Sequence, residues 1–559
     1  MAEIAADRIT APLKGPSLRT VVAASAAGTA FEWYDFFVFG TLTGVIQKTF
    51  FSGLPETAGI AAALALFGAG FLFRPIGALV FGRIGDRVGR KGAFLVTVAL
   101  MGGATVAIGL LPSYGQVGLA SPILLLIMRI VQGFALGGEY GGAAIYVAEH
   151  AAADARGRST GWVQTSAAFG LFAALLVILL TRLVLSKAFG PAAFDSWGWR
   201  IPFLISAGLL AISIYMRLKL SESPAFAAMK AVGGASKAPY AEAFGQWRNL
   251  KVVLLALVAI MSAQGAVWYT AFFYVQTFME KFLKVEPATI NGLMMAAAAV
   301  SAIGYVLFGW LSDKVGRKPV MLFGMTLMLV AYVPAFHGLA ATLNPALAEA
   351  EQRTPVTVIA DPADCSLQFD PIGKAAFTSS CDIAKSALAN AGVSYVNQAA
   401  APGQPAMVRV GLATIQSFDA RGAPKAVAKE IKASVEGKIK QGLARAGYPA
   451  TADPARMNLA GAFAILMVFV VAATALYGPI AACLVELFPT RIRYTAMSLP
   501  YNIGTGWIGG FVPFTAFAIV AAVGNIYAGL WYPFAFTLVS VIACLFLLPE
   551  TRDRPLTGS

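Results

Sequence analysis

The sequence predicts an all-α membrane protein. Twelve transmembrane helices form two six-helix, pseudo-symmetric bundles, with a small α/β periplasmic insert between helices 9 and 10. Three observations lead there. First, of 559 residues 58% are hydrophobic and only 13% are charged, with a mean hydropathy of +0.71; soluble domains carry roughly 25% charged residues. A soluble chain of this length would divide into several domains, each needing a charged surface, and that charge is missing. The same numbers exclude disordered, collagen-like and disulfide-scaffold chains. Second, apolar stretches of bilayer-spanning length, about 20 residues, recur along the chain. Third, one loop sequence occurs twice, at matching places in the two halves.

The spans read as 20–47, 57–81, 92–112, 121–149, 161–182, 198–217, 250–279, 288–311, 319–340, 457–485, 495–523 and 527–548. The first is no cleavable signal, because Glu32 and Asp35 interrupt its apolar run. With the N-terminus inside, 22 Lys and Arg fall on the cytoplasmic side, among them Arg8, Lys14, Arg83, Arg87, Arg90, Arg156, Arg217, Arg317, Arg493 and Arg554. Only 6 (Lys48, Arg182, Lys187, Arg200, Lys281, Lys284) fall in the short loops opposite. This asymmetry places both termini in the cytoplasm. It also accounts for most of the net charge of +14, which in a soluble chain would point to nucleic acid; no nucleic-acid partner is expected. The division is 1–219 for the first bundle, 220–249 for a cytoplasmic central loop, 250–340 and 457–548 for the second bundle, 341–456 for the insert and 549–559 for a cytoplasmic tail.

The insert is polar and carries twelve basic and ten acidic residues. Strand-like runs at Val356–Ile359 and Met407–Val410 and a charged helical pattern at Ala426–Ala446 suggest a small α/β domain. Cys365 and Cys381 are the cysteines outside the spans, and a disulfide between them suits an oxidising periplasm; spacing alone leaves the bond open. Cys483 and Cys544 fall within spans and read as buried thiols.

The repeated loop is GRIGDRVGRKG at Gly82–Gly92 and GWLSDKVGRKP at Gly309–Pro319, identical at six of eleven positions. Its places, between spans 2 and 3 and between spans 8 and 9, imply a parallel duplication about an axis along the membrane normal. Asp86 and Asp313 are suited to accept hydrogen bonds from neighbouring helix N-termini and so to latch the cytoplasmic side. With Gly82, Arg87, Gly89, Arg90, Gly316 and Arg317 they are candidates for a cytoplasmic gate. Arg74 and Glu149 join them because they lie toward the cytoplasmic ends of spans 2 and 4.

The 82–92 segment resembles the signature loop of the major facilitator superfamily. FEWYDFFVFG (Phe31–Gly40), RPIGALVFGRIGD (Arg74–Asp86), RIVQGFALGGEYGGAAIYVAEH (Arg129–His150), WRIPFL (Trp199–Leu204) and ELFPTRIR (Glu486–Arg493) resemble its metabolite:proton symporter family. The resemblance covers the chain except the insert. It implies a secondary transporter of a bacterial inner membrane, moving a small molecule with protons by alternating access, with no cofactor and no enzymatic activity. Family members carry citrate, 2-oxoglutarate, dicarboxylates, shikimate, or proline and betaine.

Ionisable groups inside a span cost several kcal/mol, roughly 2.5–3.5 at mid-helix on insertion scales. The sequence reading finds five: Glu32, Asp35, Arg74, Arg129 and Glu139. Glu32 and Asp35 are three apart, so they share a helix face, and two carboxylates in low dielectric cannot both ionise easily. Asp35, Glu32, Arg129 and Glu139 are therefore the proton-coupling candidates, with Arg129 as counter-charge to a carboxylate or to an anionic substrate. Structural ion pairing is the plainer alternative for each. Candidate substrate contacts are Arg129, Tyr34, Gln164, Gln264, Trp268, Tyr269, Tyr477 and Asn502, with Tyr274 also on span 7; aromatic residues at such spacing also serve as helix packing.

An imported organic acid, such as a di- or tricarboxylate or oxo-acid, is the preferred cargo because the intramembrane cations are Arg74 and Arg129. A proline/betaine-type zwitterion is the alternative, since aromatic residues can cage a quaternary ammonium. A reading of another class makes the insert a receptor or scaffold with a periplasmic partner. The body is expected to be a monomer, in contact with the lipid bilayer. Gly504–Gly509 spells a nominal dinucleotide fingerprint, but it follows no strand and lies in a span, so it reads as helix packing. No metal-ligand cluster is expected from two histidines and scattered cysteines.

Overall fold

The computed structural model describes residues 17–52, 56–219, 221–366, 377–552 and 554–556. Arg8 and Lys14 lie outside them. Among the described residues ten helices are long and apolar enough to cross a membrane. They are α3 (Arg90–Leu110), α4 (Ala120–His150), α5 (Ala153–Phe189), α6 (Arg200–Leu218), α7 (Trp247–Lys281), α8 (Pro287–Val315), α9 (Arg317–Leu343), α10 (Leu459–Leu487), α11 (Arg493–Val520) and α12 (Ala528–Leu547). Two more long helices precede them, α1 (Leu18–Thr41) and α2 (Glu56–Arg87). In α1, Glu32, Asp35 and several Gly, Ser and Thr residues lower the apolarity.

Contacts divide the helices into two sets. In the first, α2 packs on α4, α3 on α4 and α6, and α1 on α5; in the second, α9 and α8 pack on α10, and α7 on α12. The sets meet where α2 packs on α11 and α5 on α8. Moving six helices along the chain exchanges those two contacts, as an internal duplication requires. Glycines permit the closest approach within a set: a Cβ on Gly77 would lie 1.9 Å from the Phe134 carbonyl oxygen, and one on Gly133 would lie 2.0 Å from that of Gly70.

The repeated loops take equivalent conformations. Gly89 (φ 147°) and Gly316 (φ 110°) lie in left-handed territory at the α2–α3 and α8–α9 turns, where a side chain would be strained. Segments of π-helix interrupt α7 at Leu257–Met261 and Thr270–Tyr274, and α11 at Ile503–Gly509. Such bulges are frequent at functional sites. Gly504 packs against the Met261 backbone, so the nominal fingerprint is helix packing here.

Between α9 and α10 the chain forms a four-stranded mixed sheet of order β2-β1-β3-β4. β1 is Val356–Ala360, β2 Tyr395–Ala399, β3 Met407–Val410 and β4 Ala413–Gln416. β1 runs parallel to β2 and antiparallel to β3, and β3–β4 is a hairpin. The helices Pro345–Arg353, Ser380–Ala391 and Lys425–Arg445 complete the unit. Cys365 and Cys381 are joined in a disulfide, their Cα atoms 5.2 Å apart.

The unit sits at the end of the bundle opposite the repeated loops. Lys284 Nζ donates to Asn390 O (2.6 Å), Ala452 N to Lys284 O (3.0 Å) and Asn397 Nδ2 to Val523 O (2.8 Å). Among the described residues, every hydrogen bond between insert and helical body ends on the second set of helices. The insert therefore rides with that half.

The cysteine arrangement is checked by thiol titration. Denatured, unreduced protein should titrate two thiols, Cys483 and Cys544, and reduced protein all four; four thiols without reductant would contradict the bond.

Candidate functional site

At the end carrying the repeated loops, four carboxylates sit on four helix N-termini. Asp86 accepts from the backbone N–H groups of Tyr494 (3.1 Å) and Thr495 (2.8 Å) in the first turn of α11. Asp313 accepts from Gly157 and Arg158 (both 2.8 Å) in the first turns of α5. Each bond crosses from one half to the other. Within the halves, Glu222 accepts from Arg90 N (3.1 Å) and Glu550 from Arg317 N (2.9 Å). Negative charge at these positions is favoured by the helix dipole and the free N–H groups. Although burial opposes its charged form, backbone N–H donors from Arg317, Arg552, Thr551 and Lys318 hold the Glu550 carboxyl below its usual range.

Arginines knit these groups into two equivalent clusters. Arg90 pairs with Asp86, lies 3.9 Å from Glu149 and donates to Thr490 O (2.7 Å); Arg493 Nη1 reaches Glu149 at 2.5 Å. In the other cluster Arg317 pairs with Asp313 (2.5 Å) and Glu486 (3.2 Å), and Arg156 reaches Glu486 at 3.5 Å. Arg493 thus bonds a carboxylate of the first half, and Arg156 one of the second. The tail lies across both, with Leu556 O accepting from Thr490 Oγ1 (2.6 Å) and Arg554 O from Arg156 (3.1 Å). A Cβ on Gly82 would lie 2.8 Å from Thr495 Cα, so that glycine lets α11 approach. Arg87 does not join: it is exposed.

Inside the first half the expected pairing is redrawn. Arg217 on α6 is the counter-charge of Glu32 (3.3 Å) and Glu139 (3.5 Å). Arg129, assigned that part from the sequence, instead donates to Gln132 Oε1 (2.7 Å) and Leu66 O (3.4 Å) and lies over the Phe39 ring. Gln132 passes the network on to Thr105 (2.8 Å). Asp35 accepts from Ser206 Oγ at 2.5 Å. Tyr34 belongs to the packed interior of this half, its hydroxyl donating to Pro202 O (2.7 Å).

Arg74 is not at the loop end. It lies between the halves, where Nε donates to Asn502 Oδ1 (3.2 Å), and it borders a gap of about 10 Å³ with Trp33, Gln264, Trp268, Tyr269 and Tyr501. That gap admits no more than about one water. Gln264 is buried and its Oε1 has no hydrogen-bond partner. Below the gap Tyr140 stacks on Tyr501 at 3.7 Å, Gln164 donates to Tyr140 OH (2.6 Å), and the hydroxyls of Tyr477 and Tyr501 are 2.7 Å apart. Gln164 and Asn502 are thus engaged between helices. Tyr274 packs in the second half against Phe336.

On the insert side of the gap a cavity of about 350 Å³ lies between α1 and α5 and α7 and α8, lined among others by Phe37, Trp268, Phe272, Gln276, Asn291 and Tyr305. This is the size of a small-molecule site. Among the described residues that line it, none is an Asp, Glu, Lys, Arg or His. Trp268 borders both spaces and donates to Tyr305 OH (2.8 Å).

The sequence reading missed the parts played by Arg156, Arg217, Glu222, Glu486, Arg493 and Glu550. A signal for five of them was present. Glu149 precedes Arg156 by seven residues, and Glu486 precedes Arg493 by seven, at the same place in each half. Ser-Glu-Ser at 221–223 likewise matches Pro-Glu-Thr at 549–551 after the last helix of each half.

Two duplicated helical halves, closed at one end by crossed ion pairs, make a transporter fold of the major facilitator type. The sequence profile of the sugar (and other) transporter family matches residues 20–238, 229–351 and 443–558, and the chain belongs to that family, whose members are transporters rather than enzymes. Its fold has twelve spans in two bundles, so α1 and α2 complete the set. The chain is 35% identical over 332 residues to the proline/betaine transporter of Escherichia coli K12, covering 57% of this chain and 64% of that protein. It is 35% identical over 332 residues to the shikimate transporter of the same organism, covering 58% and 73%. The fold is similar to that of the proton:xylose symporter XylE of E. coli, with a TM-score of 0.62 at 15% identity over 96% of this chain and 97% of that one.

Glu149→Gln removes a partner of two buried arginines, a loss of about 3–5 kcal/mol from the latched state. Ser498 is buried beside Gly141 at the interface of the halves. Alkylation of a Ser498→Cys thiol should be slow in the parent chain and several-fold faster with Glu149→Gln added; equal rates would contradict the latch.

Proposed function

We propose that the protein is a proton-coupled symporter of a bacterial inner membrane that imports a small zwitterion of the proline or betaine type by alternating access. The observation that carries this reading is Arg74 in its aromatic surround. A zwitterion offers one carboxylate and one cationic nitrogen. Arg74 supplies a guanidinium for the first, and the faces of Trp33, Trp268, Tyr269 and Tyr501 suit the second. The unpartnered Gln264 Oε1 is an acceptor for an N–H donor such as that of proline. A di- or tricarboxylate calls for further cations, and Arg129 does not border this gap. The similarity to a proline/betaine transporter favours the same choice. A monocarboxylate is the second reading, because one arginine serves one carboxylate and a shikimate transporter is also a relative.

Coupling is assigned to Asp35, a buried carboxylate held by Ser206 within the half that also contains Arg129. The loop end is the cytoplasmic one in this reading, supported by the 22 to 6 distribution of basic residues. The disulfide-bonded insert then faces the periplasm.

Uptake into proteoliposomes under an imposed pH gradient tests the reading. Proline or betaine should accumulate and citrate should not; the reverse would overturn the substrate class. Arg74→Gln should raise the half-saturation concentration about ten- to hundred-fold, the weight of a charge-assisted contact. Asp35→Asn should abolish gradient-driven accumulation while counterflow persists, and undiminished accumulation would remove Asp35 from coupling. Deleting 345–456 should leave uptake in place; its loss in a folded body would favour the insert as the working part.

A further inference from the structure

The proton-coupling candidates of the sequence are not one group. Asp35 is bonded to Ser206, whereas Glu32 and Glu139 converge on Arg217. We propose that Glu32, Glu139 and Arg217 form a second proton site, closed toward the loop end by the ring of Tyr494, so that unlatching the two halves and freeing this proton are one movement. The proposal deepens the proton-coupled reading above and rests on it for its place in transport.

The charge balance comes first. Two carboxylates and one guanidinium are fully buried together, at 4%, 2% and 1% exposure. With both carboxylates ionised, one negative charge has no counter-charge in the trio, an arrangement of high cost in a low dielectric. One bound proton removes it. Glu139 Oε2 is the open position, since it is buried and has no hydrogen-bond partner. The site is also shaped for its cation. A Cβ on Gly28 would lie 2.4 Å from Arg217 Nη2, and the guanidinium lies 3.7 Å from the centre of the Phe94 ring. Glycine on α1 and an aromatic face on α3 thus form the slot.

Access comes second. Tyr494 belongs to the second half, yet its ring is seated inside the first. A Cβ on Gly85 would lie 2.0 Å from that ring, and one on Gly141 2.9 Å from it. Its hydroxyl donates to Gly138 O at 2.5 Å, on the residue before Glu139, and its backbone N–H donates to Asp86 in the latch. One residue thereby holds both the latch and the wall of the proton site. When α11 leaves α2 and α4, both contacts break together. The proton then leaves the carboxyl oxygen for water, and the carboxylate remains with Arg217. Among the described residues, the other ionisable groups facing this trio are Asp35 one turn along α1 and Tyr494 from α11, with Arg90 and Asp86 beyond the Tyr494 ring.

Infrared spectroscopy of the full-length protein in lipid tests this without any substrate. A protonated-carboxyl band should be present; Glu139→Gln or Glu32→Gln should remove the component that belongs to the trio, and Asp35→Asn should leave that component in place. In deuterium oxide the band should shift slowly in the parent chain and several-fold faster with Tyr494→Ala. Tyr494→Phe, which keeps the ring, should stay close to the parent. A band insensitive to both glutamate substitutions, or exchange unchanged by Tyr494→Ala, would overturn the proposal. Because the band reports the proton itself, these outcomes are separate from failure of proton-driven uptake, which would instead overturn the transport reading.

Discussion

Closure of the loop end rests on carboxylates buried against helix N-termini of the opposite half. Asp86 of α2, against α11, and Asp313 of α8, against α5, each replace lost hydration with two backbone N–H groups, and Arg90 and Arg317 supply the opposite charge. Without those partners the buried charges would cost several kcal/mol each. With them the contact is satisfied in one geometry and poorly satisfied when the halves part. Such a contact discriminates between two states more than it adds to net stability. The crossed pairs Arg493–Glu149 and Arg156–Glu486 follow from the duplication: each half contributes the arginine that the other half's glutamate requires.

The centre depends on that closure. With the loop end drawn together, Tyr140, Tyr477 and Tyr501 stack across the interface and the space around Arg74 shrinks to about 10 Å³. The larger cavity lies on the insert side, between α1, α5, α7 and α8. The π segments of α7 and α11 flank this region. Their looser hydrogen bonding suits helices that repack while the α2–α4 pair, tied backbone to backbone through Gly77 and Gly133, does not.

Much of the fold was legible because lipid-facing helices require long apolar runs, and the runs occur. The strands β1 and β3 were legible from their Val and Ile content. β2 and β4 were not, because they are edge strands with largely exposed side chains. In the site, the latch aspartates stood out through the repeated loop. Exposure did not: Arg87 and Arg90 lie three residues apart in one basic loop, one in solvent and one fully buried. In the sequence Arg217 reads as an inner-loop cation because it ends its helix. Its pairing depends on α1, α4 and α6 lying side by side, which no local pattern encodes. The sequence puts Arg74 toward a helix end, yet α2 runs on to Arg87, leaving it mid-helix between the halves.

The most direct measurement of the central claim is a distance between spin labels on the two halves at the loop end, carried at the exposed positions Arg87 and Lys314. The latched protein should give one short distance population, and replacing both Asp86 and Asp313 by Asn should transfer most of it to a longer one. A distribution unchanged by removing both aspartates would contradict the account, because closure would then owe nothing to the buried carboxylates.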